Sequence, residues 1–153
     1  QIEEISSTGM TDFFRDQLAA IGLSSTGKAV GGYDIYNNNY VLSLHGTDYT
    51  FNKDDNSGYK TLAYDSKIQG WTSFFDYRPD QIFSINNNLY TATSDGLYKH
   101  YSSLVPRNQF YGQDFPSSIT VIFNPEPLRS KTFSTLTYEG SNGWSVSSLI
   151  SDP

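Results

Sequence analysis

The sequence predicts a mainly β protein with antiparallel sheets, blade-like as in a propeller or stacked as in a sandwich, and one short N-terminal helix. Aromatic residues form 16% of the 153 residues, with 12 Tyr and 10 Phe. Such residues are enriched in strands, where their rings pack on a pleated surface. From residue 31 onward, short alternating runs are separated by Asn, Gly or Pro. That pattern is typical of hairpins.

The helix is predicted over residues 12–21, inside a lead-in segment that spans 1–30. Thr11 is placed to cap its first turn, and Gly22 is placed to end it. Residues at helical spacing form one mainly apolar stripe: Phe13, Phe14, Gln17, Leu18 and Ile21. Three members of this stripe are candidates for docking on another chain: Phe13, Phe14 and Leu18.

A repeated hairpin pattern is predicted over residues 31–103. The segments "DIYNNNYVLSLHG" (34–46) and "FSINNNLYTATSDG" (83–96) each place a triple-Asn turn between two strands. Their first turn residues, Asn37 and Asn86, are 49 positions apart. Propeller blades of the kelch type recur at about 50 residues. The region is therefore interpreted either as two blade-like units or as two unrelated hairpins that both use Asn turns.

A tryptophan-containing strand follows the polar segment at 48–58. Alternation in "GWTSFF" (70–75) predicts two faces, with Trp71, Ser73 and Phe75 on one and Thr72 and Phe74 on the other. Large rings on both faces predict that this strand is packed on both sides.

A further β unit is predicted over residues 104–153. Its strand-like runs are "SITVIFN" (118–124), "KTFSTLTYEG" (131–140) and "WSVSSLI" (144–150). Trp144 is interpreted as either a core residue or an interface anchor. The chain begins at Gln1 and stops at "SDP". We expect the whole chain to be a fragment of a larger protein.

Composition and charge argue against several function classes. The net charge is −6, and basic residues are dispersed, so direct nucleic-acid binding is not expected. The absence of cysteine rules out disulfides and thiolate metal sites. No apolar run approaches the ~18 residues that a membrane-spanning helix needs.

No metal site, cofactor site or catalytic residue is assigned from the sequence. His45 and His100 lie at or near predicted strand ends, without the spacing of a zinc motif, and are interpreted as structural or surface residues. Asn52, Asp54 and Asn56 alternate as in a calcium loop. However, the glycine comes one place late and no Glu occupies the twelfth position, so this segment is interpreted as a solvated turn.

Two carbohydrate-related interpretations depend on side chains whose separation the sequence does not give. Glycoside hydrolysis needs two facing carboxylates, for which the candidates are Asp65, Asp76, Asp80, Asp95, Glu126 and Glu139. Sugar binding needs exposed rings, for which the candidates are Tyr33, Tyr36, Tyr40, Tyr59, Tyr64, Tyr90 and Tyr98. We favour solvated turns for the carboxylates and cross-strand packing for the tyrosines.

A series of short motifs resembles a module of tailed-phage virion proteins. In order they are "GWTSF" (70–74), "NNNLY" (86–90), "GLYKH" (96–100), "FYG" (110–112), "SSITVIFN" (117–124) and "KTFSTLTYEGSNGW" (131–144). The chain is most similar, over roughly residues 31–150, to large β-rich tail-associated proteins of crAss-like phages, the muzzle proteins among them.

The resemblance implies a virion structural protein of the phage tail, in its muzzle or tail tip. Its implied work is subunit contact with copies of itself and with other tail proteins. No enzyme activity, cofactor or small-molecule substrate is implied, and contact with the host surface is possible. The alternatives are a receptor- or glycan-binding adhesin, which predicts several rings exposed in one groove, and a glycan-degrading enzyme.

Overall fold

The computed structural model describes residues 4–23, 25–46, 58–122, 127–140 and 143–150. The chain divides into two compact units, an N-terminal unit of residues 1–118 and a C-terminal unit of residues 119–153. The helix and all nine strands of the described residues belong to the N-terminal unit. The prediction of a mainly β fold with one short helix is confirmed.

Two antiparallel sheets and a small hairpin form the N-terminal unit. The first sheet has the order β1 (Lys28–Asp34), β2 (Asn39–His45), β3 (Tyr59–Asp65) and β4 (Gly70–Phe75). The second sheet has the order β5 (Gln81–Ile85), β6 (Asn88–Thr93) and β7 (Gly96–Lys99). The hairpin pairs β8 (Gln109–Phe110) with β9 (Gln113–Asp114). Each strand therefore pairs with its neighbour in sequence.

The helix α1 (Thr11–Leu23) covers one face of the first sheet. Phe14 is buried with Leu44 and Leu62, and its ring lies 4.9 Å from that of Trp71. The helix runs through Gly22, so the predicted end at that residue is wrong; an isolated Gly weakens a helix without ending it. None of the helices in the described residues is long and apolar enough to cross a membrane.

The opposite face of the first sheet packs against the second sheet. Val41 and Ala63 from the first sheet are buried together with Tyr77, Ile82 and Leu89. The first sheet is thus buried between a helix and another sheet. As a result, β3 is buried at five of its seven positions.

The two sheets approach each other through their first strands, β1 and β5. The Ser84 hydroxyl donates to the Tyr33 carbonyl at 2.6 Å and accepts a hydrogen bond from the Ile35 amide at 3.3 Å. Further along the same strands, Lys28 forms an ion pair with Asp80 at 2.7 Å. A serine side chain therefore bonds to backbone groups beside the outer edge of β1, which pairs with β2 alone among the described strands.

The two triple-Asn segments form different turns. Four residues link β1 to β2, and Asp34 accepts hydrogen bonds there from the backbone amides of Tyr36 and Asn37. Only two residues, Asn86 and Asn87, link β5 to β6, and both have positive φ, at 48° and 61°. Asn tolerates this left-handed conformation better than most residues do. The repeat is therefore one of strand–turn–strand order, with turns of different length.

The predicted faces of β4 are wrong. The ladder between β3 and β4 shifts register at a bulge, and an extra residue in one strand reverses the alternation beyond it. Trp71 and Phe74 both face the helix, where the Phe74 ring lies 5.6 Å from that of Phe13. Phe75 faces the other way, with its ring 5.2 Å from that of Tyr77. The expectation of large rings on both faces nevertheless holds.

The C-terminal unit has no strand in its described residues. The described residues of the runs predicted as strands at 118–124, 131–140 and 144–150 are assigned to neither a helix nor a strand. Their large apolar residues are exposed: Ile119, Val121, Ile122, Phe133, Leu136, Tyr138, Trp144, Val146, Leu149 and Ile150. A strand needs a neighbour for its backbone hydrogen bonds, and local sequence alone does not supply one. The proposed domain boundaries at 30/31 and 103/104 stay predictions.

Replacing Gly32 with Ala should weaken the contact between the two sheets. A Cβ at this position would lie 2.5 Å from the Ile82 Cγ2 atom and 2.9 Å from the Ile82 carbonyl oxygen. We expect Gly32→Ala to lower the free energy of unfolding by about 1–3 kcal/mol, measured by urea titration. Gly70→Ala is the matched control, because a Cβ on that β4 residue meets nothing within 4 Å. Equal effects of the two variants would contradict the assigned contact.

Candidate assembly surface

The first histidine lies inside a buried hydroxyl network. His45 on β2 is fully buried, and its Nε2 atom lies 2.9 Å from the Ser43 hydroxyl. Ser43 lies 2.8 Å from Thr61, whose hydroxyl donates to the Tyr77 carbonyl at 2.6 Å. Burial lowers the pKa of His45 to about 4, and the nearby Arg78 and Lys28 cations act in the same direction. His45 is therefore neutral at pH 7.

The second histidine lies in a separate network of the second sheet. The His100 Nε2 atom lies 2.7 Å from the Thr91 hydroxyl, which also accepts a hydrogen bond from the Tyr111 hydroxyl at 3.0 Å. The His100 ring lies 4.7 Å from the ring of Tyr77. Burial lowers the pKa of His100 to about 4. Both histidines have structural positions, and no group of three or more metal-ligating side chains occurs in the described part of the chain.

Three of the candidate carboxylates bond to neighbouring turn residues or to a lysine. Asp65 accepts hydrogen bonds from the backbone amides of the turn that follows β3, at 2.7 and 3.3 Å. Asp80 pairs with Lys28, and that hydrogen bond lowers the pKa of its carboxyl group. Asp95 lies in the exposed turn before β7 and accepts a hydrogen bond from Ser94 at 3.2 Å. Asp65 and Asp95 thus stabilise turns, and Asp80 stabilises the contact between the two sheets. Glu139 is exposed in the C-terminal unit. Glu126 and the calcium candidates Asn52, Asp54 and Asn56 lie outside the described residues.

The candidate tyrosines do not have a common environment. Tyr59 and Tyr64 are buried, whereas Tyr40, Tyr90 and Tyr98 are half-buried. Packing accounts for several of them, since the Tyr90 ring stacks on that of Phe83 at 5.9 Å and the Tyr98 ring contacts that of Tyr111 at 4.5 Å. Tyr33 and Tyr36 are about half exposed, at 50% and 55%.

Tyr36 belongs to a small cluster that the sequence did not predict. Its ring stacks on that of Tyr101 with centroids 4.8 Å apart and planes at 16°. The Tyr101 hydroxyl donates to the buried Asp34 carboxylate at 2.6 Å, and burial raises the pKa of that phenol. Tyr101 also has a positive φ of 60°. Tyr101 and Asp34 are 67 positions apart in the sequence, so no local pattern indicated this hydrogen bond.

Two surfaces of the protein remain suited to contacts with other molecules. The first is the outer edge of β7, the last strand of the second sheet, where Leu97 is 62% exposed and Lys99 is also exposed. The second is the C-terminal unit with its series of exposed apolar side chains. Clusters of exposed apolar residues mark interaction sites more often than single ones do.

A known family matches a segment that includes nearly all of the C-terminal unit and the end of the N-terminal unit. Residues 105–152 match the family model described as the Crassvirus muzzle protein C-terminal domain. A curated relative, the muzzle protein of Bacteroides phage crAss001, is 27% identical over 108 residues. The chain resembles crAss-like muzzle proteins. The resemblance predicted from the motifs is therefore confirmed.

The muzzle resemblance covers different shares of the two chains. The aligned residues represent 67% of this chain but 8% of the crAss001 muzzle protein. No solved structure matches. The similarity supports the predicted structural role in a phage virion tail.

The two buried histidines should make stability depend on pH. The pKa of each is about 4 in the folded chain, below the ordinary value of 6.5, so the unfolded chain binds more protons between these values. The free energy of unfolding should fall by roughly 1–3 kcal/mol per histidine as the pH drops from 6.5 to 4. Urea titrations at several pH values measure this slope.

Variants separate the histidine contribution from that of the carboxylates. His45→Asn and His100→Asn should each have a shallower pH slope than the wild type between pH 6.5 and 4. Ser103→His is the control, because a histidine at this exposed position adds no slope. A wild-type slope in both asparagine variants would show that the histidines titrate normally.

Proposed function

We propose that this chain is a structural segment of the virion tail of a crAss-like phage, in its muzzle, that works through subunit contacts and has no catalytic role. The observation that carries this proposal is the coincidence of two findings. The family match at 105–152 covers the C-terminal unit, and that unit exposes its large apolar residues.

The burial of apolar residues differs between the two units. In the N-terminal unit, residues such as Leu62 and Leu89 are fully buried, and two clusters fill the space on both sides of the first sheet. In the C-terminal unit, Ile122 is 91% exposed and Ile150 is 90% exposed. Burying apolar surface contributes roughly 25 cal/mol per Å². Contact with a neighbouring subunit would supply burial that the unit lacks in a single chain.

The side chains considered for chemistry support an assembly role better than an enzymatic one. The histidines are neutral, buried and bonded to hydroxyl groups, and Asp65 and Asp80 bond to a turn and to a lysine. A glycosidase needs one protonated and one ionised carboxyl group facing each other. The hydrogen bond from Lys28 lowers the pKa of Asp80, which is the opposite of what a protonated acid requires. Partners in the proposal are copies of this chain and other tail proteins.

The tail role can be tested on purified virions. Antibodies raised against this chain should label one end of the tail, distal to the capsid, when gold-labelled particles are imaged. Antibodies preabsorbed with the purified chain provide the control. Absence of the chain from purified, infectious virions would contradict the proposal.

Contact with a host glycan is a second candidate, favoured by the stacked pair Tyr36 and Tyr101. Both rings are partly exposed, at 55% and 43%, and Asn37 and Asn38 lie beside them in the turn. Exposed rings beside amide groups suit sugar binding.

Tyr36→Ala should abolish retention of the chain on a host-glycan column if this candidate is correct. Tyr138→Ala is the control, since Tyr138 is similarly exposed, at 59%, in the other unit. A wild-type chain that passes through the column unretained would exclude the candidate for the glycans tested.

A further inference from the structure

The second sheet has one strand fewer than the first, although both begin with a strand–Asn-turn–strand hairpin. The first sheet has four strands, and the second ends at β7 (Gly96–Lys99). Among the described strands, β7 is hydrogen-bonded to β6 alone. Backbone groups along its outer edge form a template for another strand. Leu97 and Lys99 beside this edge are exposed.

The segment 131–139 has the sequence properties of a strand but lies in none. It reads "KTFSTLTYE", without Gly or Pro, and five of its nine residues are Thr, Phe or Tyr. These residue types favour strands. All nine residues are described, and none is in a helix or a strand. Leu136 and Tyr138 are each 59% exposed, and their spacing of two residues would place them on one face of a strand.

Two copies of this chain could pair, because each has the outer edge of β7 and the strand-like segment 131–139. This edge ends the three-stranded sheet, the segment lies outside any sheet in the described residues, and the two differ in place. Such a contact is head-to-tail, and it closes into a ring when the rotation between neighbours allows. Opposite charges are also available in one orientation, which brings Glu139 at one end of the segment to Lys99 on the edge and leaves Lys131 at the other end.

We propose that residues 131–139 of one copy add to the outer edge of β7 in a neighbouring copy as the fourth strand of the second sheet. Backbone hydrogen bonds would hold the added strand, and its alternate side chains would set the register. This proposal rests on the proposed role in subunit contacts and names the elements that make one of them.

Cross-linking between different chains tests the contact directly, because the protein has no native cysteine. Leu97→Cys chains are mixed with Leu136→Cys chains and treated with a short bismaleimide. We expect a covalent dimer that contains one chain of each kind, at least tenfold more abundant than in a mixture of Leu97→Cys with Leu149→Cys. Leu149 is the matched control, since it is 78% exposed in the same unit.

A proline variant tests the contact independently of cross-linking. Leu136→Pro should weaken self-association at least tenfold in sedimentation velocity, because proline lacks the amide donor and interrupts a strand. Ser147→Pro, in the run 144–150 of the same unit, should leave the strength of self-association within twofold of the wild type. Both prolines replace exposed residues outside the helix and strands, so folding of the N-terminal unit should be retained.

Several results would overturn the strand-addition proposal. One is equal cross-linking in the test and control mixtures, and another is self-association of Leu136→Pro that equals that of the wild type. A third comes from a variant that carries both Leu97→Cys and Leu136→Cys: a cross-link that forms only within one such chain, and not between chains, would also overturn the proposal. Such a result together with labelled virion tails leaves the proposed function intact. A specific cross-link together with unlabelled virions has the opposite meaning, because the contact then exists and the tail role fails.

Discussion

The N-terminal unit depends on burying both faces of its first sheet. Strand β3 shows this most clearly, because Leu62 packs toward the helix and Ala63 packs toward the second sheet. A sheet with apolar side chains on both faces needs a cover on each. The helix supplies Phe14 to one face, and the second sheet supplies Ile82 and Leu89 to the other. The lead-in segment is therefore part of the folded core.

The contact between β1 and β5 fixes the second sheet against the first. Gly32 leaves room for Ile82 because it has no Cβ, and Ser84 bonds to backbone groups of β1. Several buried polar groups bond to one another, as in the chain from His45 through Ser43 to Thr61. A buried hydrogen-bonded network of this kind fixes one arrangement of strands, since unpaired polar groups are costly.

The C-terminal unit differs from the N-terminal unit in how its apolar side chains are placed. Its exposed apolar side chains lack the coverage that the helix and the second sheet give to the first sheet. The part of the chain that the muzzle family model matches thus includes the exposed apolar residues of this unit. The low charged fraction of 17% is compatible with broad contact surfaces.

The sequence by itself determined the class of fold, the hairpins and the phage resemblance. Turn residues and alternation are local, so "NNNLY" indicated a turn between two strands before any contact was known. Tertiary structure decided the faces and partners of those strands. A bulge in β4 placed Trp71 and Phe74 on the same side, and Tyr101 bonded to Asp34 across 67 positions. The C-terminal runs had strand sequence without strand structure, because a strand exists only when another backbone is beside it.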